Sequence, residues 1–354
     1  MAATTNPLQS PSTSSPPVSS ETHTIAGIFV TVYGLAELPS PCASVASLWL
    51  LHPRLQTKDT MGPIAAQVIS AWNQRPKGKG PPKGLVAVSF DQRNHGSRMV
   101  DELHNQAWRE GNPRHAQDMF SCFHGTATDT SQLIDHLESY IFHTPTSSSP
   151  KITQHLVLGV SLGGHAAWHC ILGDARITGA VVGIGCPDYT RLMADRARLS
   201  KRKSYTESTP PGSAFLGSGD FPTALQDAIQ KYDPAGLLLP SNAFDPQSPT
   251  QVPELNSGER EKLNTLLRER LAKKSILNLS GRIDKLVPYA AGEPFLKVFK
   301  QALAGDRSLD VGFEDVMFDG IGHQFSSGMV EKATSWICDL LARDGEGTSV
   351  SSKI

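Results

Sequence analysis

The chain has 354 residues, with 33 Lys and Arg against 34 Asp and Glu, so it lacks the basic excess of a general nucleic-acid binder and no nucleic-acid partner is expected. A composition 39% hydrophobic and 19% charged is ordinary for a soluble globular protein, large enough for one α/β domain with an insertion or for two units. No apolar run reaches the roughly 18–20 residues of a bilayer span, so membrane insertion is not expected.

At the amino end, MAATTNPLQSPSTSSPPVSS has neither a basic n-region nor an apolar h-region. The first arginine is Arg54, which argues against a mitochondrial presequence as well. Residues 1–20 are too poor in apolar side chains to order themselves and read as a disordered tail. Short β-rich runs follow, at Thr24–Tyr33, Val45–Leu51, Leu85–Phe90, His155–Val160, Gly179–Ile184, Ser275–Ser280 and Asp315–Phe318. Three of them, 45–51, 85–90 and 155–160, are nearly continuous apolar runs, as expected of strands covered on both faces.

Helical periodicity occupies the gaps. Ile64, Val68, Ile69 and Trp72 share a face after Pro63, and Leu133, Ile134, Leu137, Tyr140 and Ile141 form a second stripe. Met329, Ala333, Trp336, Ile337, Leu340 and Leu341 form another near the end. The alternation predicts an α/β fold with a mostly parallel central sheet and helices on both faces. The alternation breaks between Pro187 and about Lys274, where Leu263, Leu266, Leu267 and Leu271 share a face behind an Asn256/Glu259 capping box. The expected organisation is a core in two parts, 21–186 and 272–345, an inserted lid at 187–271 folded over the sheet's carboxyl edge, and a flexible tail from 346 to 354. The stretch from Gly96 to Gly125 also looks too long for a simple connection.

Chemistry centres on GVSLG, Gly159 to Gly163. The run Leu156–Leu158 reads as strand and Ala166–Leu172 as helix, the context in which G-x-S-x-G makes a nucleophile elbow. Glycines flank the serine because a Cβ there would meet the opposite limb of the turn. Ser161 would then stand at a helix start, whose amides favour developing negative charge. A serine hydroxyl needs a base, and the base needs an orienting acid. In such an elbow the order runs serine, acid, histidine, and the chain supplies Asp284 after SILNLS and His323 after EDVMFDG. Asp188, in GCPDY, is the rival acid. An oxyanion hole needs two N–H donors. The Leu162 amide is one. The other should follow WLLHPR, where Pro53 has no N–H, so it falls to Arg54, with Leu55 the alternative.

These residues together resemble the α/β-hydrolase fold family. FDQRNHGSR, Phe90–Arg98, adds to the likeness, being similar to the family's D-x-R-G-H-G turn with Asn94 in place of a glycine. His52-Pro53 stands where many relatives have His-Gly. The resemblance spans about residues 24–186 and 272–343. It implies a serine hydrolase that cleaves an ester, thioester or lactone of a small-molecule acyl substrate through an acyl-enzyme, with no cofactor. An acyltransferase using the same triad, or a catalytically silent scaffold that binds a ligand, stays open. The ending Ser352-Lys353-Ile354 is one step from the peroxisomal Ser-Lys-Leu address, which points to an import receptor as partner and otherwise to the cytoplasm. With that tail the chain also looks like the peroxisomal hydrolases of fungal AK-toxin-type host-selective toxin biosynthesis.

Other signals are bland. Cys42, Cys122, Cys170, Cys186 and Cys338 form no CxxC pair, so neither a zinc site nor a disulfide framework is indicated, and Cys170 and Cys338 read as buried thiols. His95, His104, His115, His124 and Asp118 crowd one region without compact ligand spacing, so no metal is expected. KGKGPPKG, Lys77–Gly84, lacks the order of a phosphate loop and reads as solvated. The run Arg191, Arg196, Arg198, Lys201, Arg202, Lys203 reads as a solvated helical face, with reception of an anionic substrate the alternative.

Overall fold

A computed structural model describes residues 6–8, 16–76, 82–142 and 150–346. In chain order the elements are β1 (Ser20–Ile25), β2 (Ile28–Tyr33), β3 (Ser44–Leu51), α1 (Gly62–Asn73), β4 (Lys83–Phe90), α2 (His115–Ile141), β5 (Lys151–Val160), α3 (Leu162–Gly173), β6 (Ile177–Gly183), α4 (Tyr189–Leu199), α5 (Lys203–Thr206), α6 (Thr223–Tyr232), α7 (Pro234–Leu238), α8 (Ser257–Leu271), β7 (Ser275–Gly281), α9 (Tyr289–Gly305), β8 (Gly312–Phe318) and α10 (Ser327–Glu346).

The eight strands form one sheet in the order β1-β2-β4-β3-β5-β6-β7-β8. Antiparallel pairing is confined to β1 with β2 and β2 with β4, and every pair from β4 to β8 is parallel. Along β3 the side chains alternate between two apolar clusters. Val45, Trp49 and Leu51 join one, with Phe120 of α2, Trp168 of α3, Leu267 of α8 and Phe295 of α9. Ala46, Leu48 and Leu50 join the other, with Ile64 and Val68 of α1 and Met329 and Ile337 of α10. Strands buried on both faces explain the unbroken apolar runs. The chain crosses from β3 to β4 on one side and later to β5 on the other, so the crevice at the carboxyl ends of β3 and β5 is a topological switch point, where ligands bind in open α/β sheets.

Several elements differ from the sequence reading. The expected strand 24–33 is a hairpin, β1 with β2, turning at Ala26 (φ 49°) and Gly27 (φ 79°). Two consecutive residues at positive φ give the turn whose twist suits a tight hairpin. The second half of the irregular stretch 96–125 is helix: α2 begins at His115, with Ala116, Met119, Phe120 and Phe123 buried on one stripe that its histidines and threonines obscure. The boundary of the inserted segment shifts too. Leu263, Leu267 and Leu271 of α8 are buried against the α3 side of the sheet, making α8 the crossover helix into β7 rather than part of a cover over the carboxyl edge. Lys274, just beyond it, donates to the carbonyls of Ile171 (2.7 Å) and Asp174 (2.8 Å), which ties the α8–β7 corner to the far end of α3.

The tail 1–20 is also corrected where it is described. Phe325 N–H donates to Pro7 O at 2.8 Å, and Leu8 and Val18 pack against the α1/α10 cluster. Ser19 bonds Glu37 through both its amide (2.8 Å) and its hydroxyl (2.6 Å). Backbone pairing with the folded part holds segments that composition alone marks as too polar to order. The loop residues 77–81 and the Ser-Lys-Ile ending lie outside the described residues. Among the described residues no helix is long and apolar enough to cross a membrane.

Candidate active site

β5 ends at Val160, and Ser161 turns the chain directly into α3 with φ 56° and ψ −111°. A non-glycine residue at positive φ is held only where its surroundings over-determine it. Here Ser161 N–H donates to Gly183 O of β6 at 2.8 Å, and Ser161 O accepts from His165 N–H at 3.0 Å. A Cβ on Gly159 would sit 1.8 Å from Gly163 O, across the turn as expected. A Cβ on Gly163 would instead sit 2.0 Å from Leu51 O, so that glycine serves the approach of α3 to neighbouring β3 and not to the other limb.

Ser161 Oγ lies 2.8 Å from His323 Nε2, and His323 Nδ1 lies 2.8 Å from Asp284 Oδ2. A carboxylate can only accept, so Nδ1 carries the ring proton and Nε2 is left to accept from the serine. Asp284 is fixed in turn: its Oδ1 accepts from the amides of Leu286 (2.8 Å) and Val287 (2.9 Å), and its side chain is 1% exposed. The three residues come from the loops after β5, β7 and β8, so the sheet, not local sequence, brings them together.

The rival acid is committed elsewhere. Asp188 caps α4 through Arg191 N–H (2.9 Å) and pairs with the Arg191 guanidinium at 2.5 Å, both side chains buried.

No protein-family model matches the sequence, and no curated protein matches it. Among solved structures, TT1662 from Thermus thermophilus superposes with a TM-score of 0.52 at 16% identity, over 92% of this chain and 99% of that one. SOBER1 from Arabidopsis thaliana gives a TM-score of 0.42 at 15% identity, over 84% and 100% of the two chains. A 2,6-dihydroxy-pseudo-oxynicotine hydrolase gives 0.44 at 16%, over 93% and 69%. The TT1662 match spans both chains nearly end to end. The chain has the α/β-hydrolase fold.

On this α/β-hydrolase frame the expected oxyanion donors come from α3 and from the turn after β3. Leu162 opens α3, where first-turn amides have no intrahelical acceptor. Arg54 and Leu55 (φ 62°) are the central residues of a turn closed by Gln56 N–H to Pro53 O at 3.3 Å. Sequence reasoning missed what holds that turn. His52 Nε2 accepts from Gln92 N–H at 2.9 Å, leaving Nδ1–H to donate to Pro53 O at 2.8 Å. Burial holds the His52 imidazole neutral, down to about 4, against a smaller upward pull from the Pro53 carbonyl. The neighbouring Asp91 braces the same corner, accepting from Lys58 N–H and from Ser97 through its amide and hydroxyl. Asn94 occupies φ 58°, and its side chain holds the loop from Val100 to Asn105. A glycine there would fit the backbone but hold nothing.

The basic run is a solvated face only in part: Arg198, Lys201 and Lys203 are exposed, whereas Arg191, Arg196 and Arg202 are drawn inward. Arg191 is buried with Asp188, Arg198 pairs with Asp195 at 2.6 Å, and Arg202 pairs with Asp220 at 2.6 Å. Arg196 is partly buried over His115 and the Asp284 loop. The histidines disperse: His104 bonds Asp118 at 2.8 Å, His95 the Arg93 carbonyl, and His124 lies 3.4 Å from His169. All five cysteines are buried free thiols.

Proposed function

We propose that this protein is a serine hydrolase acting on an ester, thioester or lactone. One observation carries the reading: an unbroken Ser161–His323–Asp284 relay, with both links at 2.8 Å, set on a strained strand-to-helix turn. In this mechanism Ser161 Oγ attacks the acyl carbonyl while His323 Nε2 takes its proton. Asp284 holds the imidazole in the required tautomer and stabilises the imidazolium. The amides of Leu162 and Arg54 receive the negative charge on the carbonyl oxygen, each such donor being worth about 3 kcal/mol in the transition state. The tetrahedral intermediate expels its alcohol or thiol, which takes the proton from His323. Water, deprotonated by the same base, then releases the acid and restores Ser161.

An alkyl fluorophosphonate is expected to label the wild-type protein and to spare Ser161→Ala, as read by intact mass. Equal labelling of the two would remove Ser161 from this role. The ending Ser352-Lys353-Ile354 supports peroxisomal import, and with it a tailoring step on a fatty-acyl or polyketide intermediate of host-selective toxin biosynthesis. A fluorescent protein fused ahead of the full chain is expected in peroxisomes and to become diffuse when Ile354 is deleted. Diffuse fluorescence with Ile354 intact rejects the import signal.

A further inference from the structure

Arg54, on the turn after β3, and Arg196, on α4, are two arginines that form no ion pair among the described residues. Arg54 donates through Nη1 to Asn105 O at 2.6 Å. His115 sits on the next peptide, its Nδ1 3.0 Å from Gln106 O. On its other side, His115 Nε2 lies 3.2 Å from Arg196 Nη1. A guanidinium can only donate, so Nε2 accepts and this histidine is neutral. Arg196 Nη2 then donates to Leu286 O at 3.1 Å, two residues beyond Asp284. The chain of contacts thus runs from the oxyanion turn at the end of β3 to the acid loop at the end of β7. Ser161, at the end of β5, lies between those strands in the sheet order.

Neither cation has a carboxylate at ion-pair distance, although Glu110 acts on Arg54 and Asp284 and Asp195 act on Arg196 from farther away. Among the described residues no carboxylate pairs with Arg54 or Arg196, whereas Arg191, Arg198 and Arg202 of the same run each have one. Arg196 Nε is buried without any acceptor, although a buried polar atom ordinarily has one. Burial, reinforced by Arg196 and then Arg54, drives His115 well below its usual range, and burial with Arg196 lowers Arg54 to about 10.

We propose that Arg54 and Arg196 form an anion clamp selecting acyl substrates that carry a free carboxylate a few atoms from the scissile carbonyl. This rests on the serine hydrolase reading and specifies its substrate class. A planar carboxylate matches the donor fork of a guanidinium. The clamp begins beside the triad. The phosphates of coenzyme A would lie at the far end of the pantetheine arm, so the clamp reads the acyl chain rather than the carrier.

Two fluorophosphonates of equal length test this, one with a pentyl chain and one with a carboxybutyl chain. The wild type should react with the carboxybutyl probe on the order of tenfold faster or more. Arg196→Gln should bring the ratio of the two rate constants toward one, and Arg196→Lys should keep part of it. Equal wild-type rates overturn the clamp while pentyl labelling of Ser161 leaves the hydrolase reading standing. A ratio that survives in Arg196→Gln also overturns it. So does a parallel fall with both probes, which would reduce Arg196 to a support for the Leu286 loop. If neither probe labels the wild type, the hydrolase reading falls, and the clamp with it.

Discussion

At Ser161 the backbone occupies a conformation that an isolated serine avoids, and its neighbours supply the constraint. The approach at Gly163 is the tightest part of that constraint toward β3, because the obstacle, Leu51 O, is backbone and cannot rotate away. Gly163→Ala is therefore expected to cost about 2–4 kcal/mol, read as a lower urea midpoint, and to slow fluorophosphonate labelling. An unchanged midpoint would mean that the backbone can give way where a Cβ on Gly163 would stand 2.0 Å from Leu51 O. Residue identities made Ser161, Asp284 and His323 legible from sequence, since each side chain has a chemistry its loop position betrays. Arg196 was not legible in the same way. Its neighbours in the run have the same composition, and only the fold shows which of them meet a carboxylate. His52 was hidden for a related reason, because its partner Gln92 is brought near only when β3 pairs with β4.

Among the elements, strands buried on both faces announced themselves by unbroken apolar runs. Helices whose buried stripe includes His, Thr or Gly did not, as α2 illustrates from His115 to Gly125. The helix α8 was visible from its leucines and capping box, yet its place was not. A leucine stripe states that a face is covered and is silent about what covers it. Leu267, fully buried in the cluster with Trp168 and Phe295, distinguishes a crossover helix from a mobile cover. Leu267→Ala should lower stability by about 2–5 kcal/mol in urea unfolding, with little change in the relative labelling of long and short alkyl fluorophosphonates. The opposite pattern, a preserved midpoint with altered chain-length preference, would return α8 to the lid.

Across the whole molecule, one titration stands out. Burial holds His52 and His155 down to about 4 and His165 to about 3. In the unfolded chain these imidazoles take a proton near 6.5. Between pH 6.5 and 4 the unfolded chain therefore binds more protons than the native protein, and stability falls as pH falls. Asp188 and Asp233, which burial pushes upward, act in the opposite sense and offset part of the loss. The expected net result is a calorimetric Tm about 5 °C lower at pH 5 than at pH 7, and a Tm that rises over this interval would show the acids dominating. At this scale the chain's two ends of interest also meet. Pro7 O is the acceptor for Phe325 N–H, two residues past the catalytic base proposed here. That bond joins the amino-terminal segment to the turn bearing His323, which Ile283 N–H to Ile321 O and the Asp284 contact hold from the other side, so the proposed base is steadied by segments more than 270 residues apart in the chain.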